Sequence, residues 1–410
     1  MAFRRYHIVG WTNFSKNSMR IIDVKKIGII TFYHKNYNFG GLLQAYALPE
    51  ALKLYFNLNA EQIDYTYLGK YEKHGRKRIK NISELVYQMG ILFFAELERK
   101  NLSKRKKAFY EFMKEIQHSI KTYNSENIEK SGREYDIFIC GGDQIWNEHE
   151  LVSNTEIFTL QFVSKEIKKI SYAPSMANLD TSDEFKTIFR KGLNELDAIS
   201  VREKSSIPIL QEMTNKPIQV VVDPVLLLQK KEWEQVARTP QIKQPYLVCY
   251  LLGDNVAQRK AVEKLAKRLK LKILTFPHIL CNVVRKCDLF FGDIQDYTSG
   301  PREFIGLIQN AELVVTDSFH ASVFSMIFEI PFYVFERDKA EAKNSTNRRI
   351  YDFLKEYQLD SQLVSEESLA EVNKIPKVDF KYSHQHWEKR REESLEYLEH
   401  ALEVKRRKHR

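Results

Sequence analysis

The residue with the clearest chemical potential is His320, in the stretch from Asn310 to Pro331, NAELVVTDSFHASVFSMIFEIP. Glu312 to Val315 reads as a short buried strand. Thr316-Asp317-Ser318 carries helix N-cap chemistry, and Ala321 to Ile330 has helical length and apolar density. This spacing predicts His320 in the first helical turn, where free backbone N–H groups and the helix dipole favour an anion. A histidine beside a bound phosphate or carboxylate is a suitable proton donor. The plainer reading is that Asp317 or Ser318 only caps the helix and His320 is a half-buried structural residue.

Two other strand ends deliver polar groups in the same manner. Tyr135 to Cys140 (YDIFIC) runs into Gly141-Gly142-Asp143, which sets a carboxylate at a strand tip, where open α/β sheets hold ligands. A tight turn capped by Asp143 is the alternative. Ala198 to Val201 ends in Arg202 and Glu203. Arg202 either pairs with Glu203 or Asp197, or clamps an anion with its planar fork. Near the start, the strand Lys26 to Phe32 leads to a polar turn containing Asn38, Gly40 and Gly41 and then to a helix from Leu42. Adjacent glycines permit close approach of a ligand to the backbone. Their spacing is neither a dinucleotide fingerprint nor a phosphate-binding P-loop.

The elements that must position these groups form two βα series. The first has strands at Lys26–Phe32, Ala60–Tyr65, Tyr135–Cys140, Lys169–Ala173 and Ala198–Val201. Pro49 is expected to kink or end its first helix, and residues 66–130 read as a charged helical insertion, with apolar spacing at Leu85, Met89, Leu92, Phe93, Phe109, Phe112 and Ile116. The second series runs from Pro245 to Phe335, followed by Asn347, Arg348 and Arg349 before an amphipathic helix. A C-terminal helix from about His386 to Arg406 places Trp387, Leu395, Leu398 and Leu402 on one side. The expected organisation is α/β, with two Rossmann-like βα domains facing a cleft. An N-terminal domain spans 20–235, a C-terminal domain 245–385, and a helix with a basic tail 386–410.

With 410 residues, 43% hydrophobic and 29% charged, the chain is long enough for two ordinary globular domains. No apolar run reaches the roughly 20 residues of a membrane span. No secretory h-region follows the early basic residues, so a cytoplasmic location is expected. Cys140, Cys249, Cys281 and Cys287 do not have the spacing of a zinc or iron–sulfur site; reduced thiols and no metal are expected. The net charge of +10 is concentrated in Lys70–Lys80, Lys100–Lys107 and Lys405–Arg410. These read as solvated faces, with attraction to an anionic membrane surface at its inner face as the next reading. No nucleic-acid motif accompanies them.

Several of these segments, in order, resemble the polysaccharide pyruvyl transferase family. They are NFGGLLQAYAL from Asn38 with Ile63-Asp64-Tyr65, FICGGDQIWN from Phe138, SYAPSMA from Ser171 and AISVREKSS from Ala198. VVDPVLLL from Val221 and GPREFIGLIQNAELVVTDSFHASVFSMIF from Gly300 complete the set. The resemblance implies a glycosyltransferase-B-like pair of domains, the N-terminal one on the acceptor side and the C-terminal one on the donor side. It implies phosphoenolpyruvate as donor substrate, no cofactor, and a sugar acceptor, lipid-linked or free, that receives a pyruvate ketal on two hydroxyls. Arg202 matches the family arginine that holds the donor, and His320 the histidine proposed as acid. Asp143 is the candidate for orienting or deprotonating the acceptor hydroxyl, and Gly142 lies beside it. The family's arginine two residues before the histidine is Ser318 here, so the missing cation is expected from Arg348, Arg349 or a lysine, with Arg348 favoured. Two other readings compete: a sugar transferase of the same architecture using a nucleotide sugar, and a non-catalytic polysaccharide assembly protein.

Overall fold

The computed structural model describes residues 25–67, 100–151, 154–280, 283–339 and 345–407. The first sheet has five parallel strands in the order β3-β2-β1-β4-β5. These are β1 (Lys26–Ile30), β2 (Asn59–Tyr65), β3 (His118–Tyr123), β4 (Ile137–Gly141) and β5 (Lys168–Tyr172). β1 and β4 lie side by side with Ile27 opposite Ile137 and Ile30 opposite Cys140. Both are almost wholly buried, as continuous apolar runs in a parallel sheet covered on both faces should be. A short parallel pair, β6 (Ile199–Val201) and β7 (Ile218–Val220), continues from β5 through a bridge between Ile170 and Ala198. The second sheet is again parallel, in the order Ile294–Gln295, Lys272–Thr275, Tyr246–Tyr250, Leu313–Thr316, Phe332–Val334. Two such sheets with interleaved helices make the expected α/β organisation of two Rossmann-like βα units.

Two local expectations are corrected, and that for Pro49 is narrowed, since it does not end the first helix. The first helix, α1, spans Phe39–Phe56 and continues through Pro49. Proline cannot donate to the carbonyl four residues back. The buried Gln62 side chain on β2 donates to the Ala45 carbonyl instead, at 2.8 Å, so that carbonyl keeps a partner. α1 also begins three residues earlier than expected, so Gly40 and Gly41 belong to its first turn. Within 66–130, residues 100–115 are helical, but His118–Tyr123 is an edge strand. Its polar alternation masks it in the sequence, and only Ser119 and Tyr123 are buried. Residues 68–99, with Leu85, Met89, Leu92, Phe93 and Lys70–Lys80, lie outside the described residues. Between the two sheets the chain forms a helix at Lys230–Val236.

The halves share one hydrophobic cluster that runs from Ile27 and Leu43 to Val248 and Phe324. Phe39 stacks on Phe304 with ring centroids 4.5 Å apart and packs against Phe109 of helix 100–115. From that helix, Arg105 donates to the carbonyls of Pro277 and Asp296, so one cation of the Lys100–Lys107 run is buried rather than solvated. The C-terminal helix, Lys381–Leu402, begins against the second half, where Ser383 donates to the Tyr357 carbonyl. It ends on the first, where the Tyr397 hydroxyl donates to the Ser171 carbonyl at 2.7 Å. Trp387, Leu395, Leu398 and Leu402 are all buried, as their spacing predicts. In the tail, Arg406 pairs with Glu392 and Glu399, which turns part of its charge inward. No helix among the described residues is long and apolar enough to cross a membrane. Cys140, Cys249 and Cys287 carry free thiols.

Candidate active site

The strand Leu313–Thr316 delivers the chain to Ser318, which caps the helix Phe319–Phe328 by accepting from the Ala321 N–H. His320 thereby falls in the first turn, as its spacing predicts, and is only 4% exposed. Its Nε2 lies 3.6 Å from Oδ2 of Asp223 and has no hydrogen-bond partner. On its other side the ring meets Gly40 of α1, where an added Cβ would stand 2.1 Å from Nδ1. A residue larger than glycine at position 40 cannot coexist with this placement. Asp317 points away and accepts from the N–H groups of Leu252 and Gly253, joining the tips of two strands.

Arg202, at the end of β6, is buried among three carboxylates. Its Nε donates to Glu203 at 2.7 Å, Nη1 to Asp223 at 2.6 Å and Nη2 to Asp143 at 3.1 Å, while its guanidinium covers the Phe319 ring at 4.4 Å. Asp143 also accepts from Nη1 of Arg349 at 2.9 Å. One connected network therefore spans both halves, from Gly142-Asp143 through Arg202 and Asp223 to His320, with Arg349 closing it from the second half. Burial alone would raise the proton affinity of the Asp143 carboxyl. The charges of Arg349, Arg202 and His320 outweigh burial and hold it far below the usual carboxylate range. Asp223 is likewise held low against its burial, by His320 and Arg202. Burial works against the charge of Arg202 too, but the three surrounding carboxylates win and raise its affinity for its proton. Burial pushes Arg349 down to about 10, against the opposing pull of Asp143.

Of the residues singled out in the sequence, the structure thus joins His320, Arg202, Asp143 and Gly40. Gly142, at φ +102°, turns the chain into Asp143; a Cβ there would strike Gln44. Asn38 caps α1 by accepting from the Gly41 N–H at 3.0 Å and is itself exposed. Arg348 is corrected: it opens its helix with its side chain exposed, and the next residue, Arg349, is the buried one that reaches the cluster. Consecutive helical residues point about 100° apart, so only one of the two can face the site. Arg202 pairs with Glu203 as one reading allowed, whereas Asp197 accepts from the Lys169 N–H elsewhere. Sequence reasoning missed Asp223. Its signal was a carboxylate inside the apolar run VVVDPVLLL, a position that burial makes costly without a partner.

Chemically, the arrangement offers a buried imidazole with an unused nitrogen, an ionised carboxylate beside it, and two guanidiniums committed to carboxylates. An anion could gain Arg202 only by displacing a carboxylate, since its Nε, Nη1 and Nη2 all donate to carboxylates, whereas Arg349 holds Asp143 through Nη1. No group of His, Cys, Asp and Glu among the described residues has the geometry to hold a metal ion.

Among solved structures, UDP-GlcNAc 2-epimerase from Neisseria meningitidis bound to UDP-GlcNAc is 12% identical, covers 90% of this chain and 99% of its own, and aligns with a TM-score of 0.45. UDP-GlcNAc 2-epimerase from Methanocaldococcus jannaschii is 13% identical over 82% of this chain and 93% of its own, with a TM-score of 0.45. The glycosyltransferase SnogD from Streptomyces nogalater is 11% identical over 92% and 98%, with a TM-score of 0.41. No curated protein matches the sequence. Residues 38–339 match the model of a single family and contain the clustered residues above except Arg349; the chain belongs to the polysaccharide pyruvyl transferase family.

Proposed function

We propose that this protein transfers a pyruvyl group from phosphoenolpyruvate to two hydroxyls of a sugar in a surface or exopolysaccharide precursor, forming a cyclic ketal and releasing phosphate. The observation that carries the proposal is the unpartnered Nε2 of buried His320, in a first helical turn where residues of both halves converge. Protonated His320 gives its proton to the donor's methylene carbon, which becomes a methyl group and leaves positive charge on the adjacent carbon. One sugar hydroxyl bonds to that carbon, and its proton is released. The carbon–oxygen bond to phosphate then breaks, the second hydroxyl takes its place, and its proton leaves. One proton ends on the methyl group and the other on phosphate or solvent, so the reaction balances without an oxidant or reductant.

On this reading Asp143 orients the attacking hydroxyl rather than taking its proton, because a carboxylate held so far below its ordinary range stays ionised and is a weak base. Asp223, 3.6 Å from Nε2, favours the protonated form of His320 by its charge. Arg202 holds both carboxylates in place, and it meets the anionic donor when one of them yields. Arg349 supplies the cation that Ser318 lacks. Phosphoenolpyruvate is expected to raise the thermal midpoint of the protein, since a ligand bound only to the folded state stabilises it. Arg349→Ala should weaken that binding roughly tenfold to a hundredfold, while Arg348→Ala leaves it unchanged. Protection by a nucleoside diphosphate and none by phosphoenolpyruvate would overturn the proposal in favour of sugar transfer from a nucleotide.

A further inference from the structure

The first sheet holds a histidine–carboxylate pair that the proposed reaction leaves unused. His34 follows β1, in a tight turn closed by the Asn36 N–H donating to the Tyr33 carbonyl at 3.2 Å. Its Nδ1 is hydrogen-bonded to Oδ1 of Asp64, near the end of β2. An ionised carboxylate only accepts, so Nδ1 carries the hydrogen and the lone pair of the neutral ring lies on Nε2. That nitrogen has no hydrogen-bond partner among the described residues and is not buried; the His34 side chain is 17% exposed. Asp64 is held in turn by the Thr122 hydroxyl, which donates to Oδ2 at 2.7 Å. Burial alone would raise the proton affinity of Asp64, but hydrogen bonds from His34 and Thr122 lead the opposing effects and keep its carboxyl below the usual range.

The pair lies on the same edge of the sheet as Asp143. Ile29 is level with Gln62 and Ile30 with Cys140, so Asp64 and Gly141 both come level with Thr31, one strand to either side of β1. Neighbouring strands are about 4.8 Å apart, which sets β2 and β4 about 10 Å apart there. The turn that carries His34 also leans on the wall of the site. The Asn36 side chain donates to the Phe32 carbonyl at 2.7 Å and covers Gly41, where an added Cβ would stand 2.5 Å from its Nδ2. Gly41 follows Gly40, which meets the His320 ring. His34 is two residues from Asn36, so their Cα atoms are within about 8 Å of each other.

Transfer to a hydroxyl needs a base, and Asp143 and Asp223 are held ionised by the cations around them, which leaves them weak bases. We propose that His34 is the general base that takes the proton of an acceptor hydroxyl through Nε2, with Asp64 as the positioning residue that fixes its tautomer. This rests on the reading of the protein as a transferase to hydroxyl groups, but not on the identity of the donor. As the hydroxyl oxygen bonds to the donor carbon, its O–H bond breaks and the proton passes to Nε2. The Asp64 carboxylate stabilises the imidazolium so formed, which then returns the proton to the departing phosphate or to solvent. Acid and base come from different halves, His320 from the second and His34 from the first.

The test is acceptor-dependent turnover of the full-length protein, with phosphoenolpyruvate and separately with a nucleotide sugar, for wild type, His34→Gln, His34→Ala and Asp64→Asn. Glutamine can still donate to Asp64 but is no base, so His34→Gln should lower kcat about a hundredfold. Thermal protection by phosphoenolpyruvate should stay as in wild type. Asp64→Asn should lower kcat about tenfold or more at an unchanged acceptor KM, because an amide no longer selects the tautomer. Should His34→Gln fold poorly, partial rescue of His34→Ala by added imidazole decides instead. Wild-type kcat in a folded His34→Gln protein overturns the inference and leaves the donor reading standing. A fall in kcat matched by an equal loss of phosphoenolpyruvate protection shows a purely structural role and overturns it too. Turnover with the nucleotide sugar alone, lowered as strongly by His34→Gln, would uphold the base and sink the donor reading.

Discussion

Asp143 shows how a single residue ties stability to the site. Its carboxylate sits between Arg202 and Arg349 and is bound more tightly as an anion than it would be in an unfolded chain, where its affinity would be near pH 4. A depressed folded value means that the stabilisation is complete above that unfolded value. It is lost as pH falls from there through the lower folded value. Stability of the wild type should therefore decline steeply below about pH 4. Asp143→Asn should cost about 3–5 kcal/mol at neutral pH, because two buried guanidiniums lose their shared anion, and should decline less steeply in acid. Denaturant unfolding across the pH range checks both, and an unchanged acid slope would show that Asp143 is not ionised by this pairing. At this scale the sequence was informative wherever a polar residue ended an apolar strand: His320, Arg202 and Asp143 were legible for that reason. It was silent on which of two consecutive arginines faces inward, because that depends on the rotation of a helix whose start the sequence did not define. Asp223 was obscured by its apolar neighbours.

At the scale of elements, α1 is both a core helix and a wall of the site. Gly40 lies in its first turn against the His320 ring, so its lack of a side chain is a spatial requirement. Alanine is the better helix former by up to about 1 kcal/mol, so Gly40→Ala should barely lower the thermal midpoint if His320 can move. It should nevertheless depress turnover by tenfold or more, since a displacement of about 1 Å at a catalytic group can cost that much or more. Full activity in Gly40→Ala would show that the ring's placement against α1 does not matter. The junctions of strand, glycine and helix were readable because period, caps and turn residues agree there. The passage of α1 through Pro49 was not, because it depends on Gln62, a side chain from the next strand, reaching the orphaned Ala45 carbonyl. The edge strand His118–Tyr123 escaped for a related reason. An edge with a mostly exposed face has no apolar alternation to announce it.

Across the whole molecule, the two sheets were legible as two βα series, while the way they are fastened was not. Helix 100–115 reaches the second half through Arg105, and the C-terminal helix crosses back from Tyr357 to Ser171. Both depend on contacts between residues more than a hundred positions apart or between helix ends and distant carbonyls, which no local pattern encodes. Their effect is to hold Gly40 and Asp143 from one half against His320 and Arg349 from the other, and the proposed chemistry depends on that meeting. The most direct test is acceptor-dependent release of phosphate from phosphoenolpyruvate, measured for wild type and for His320→Gln with a panel of neutral sugars and lipid-linked polysaccharide precursors. The account predicts release by wild type, lowered about a hundredfold or more in His320→Gln, with thermal midpoints within a few degrees. Wild-type rates in a well-folded His320→Gln protein would contradict it.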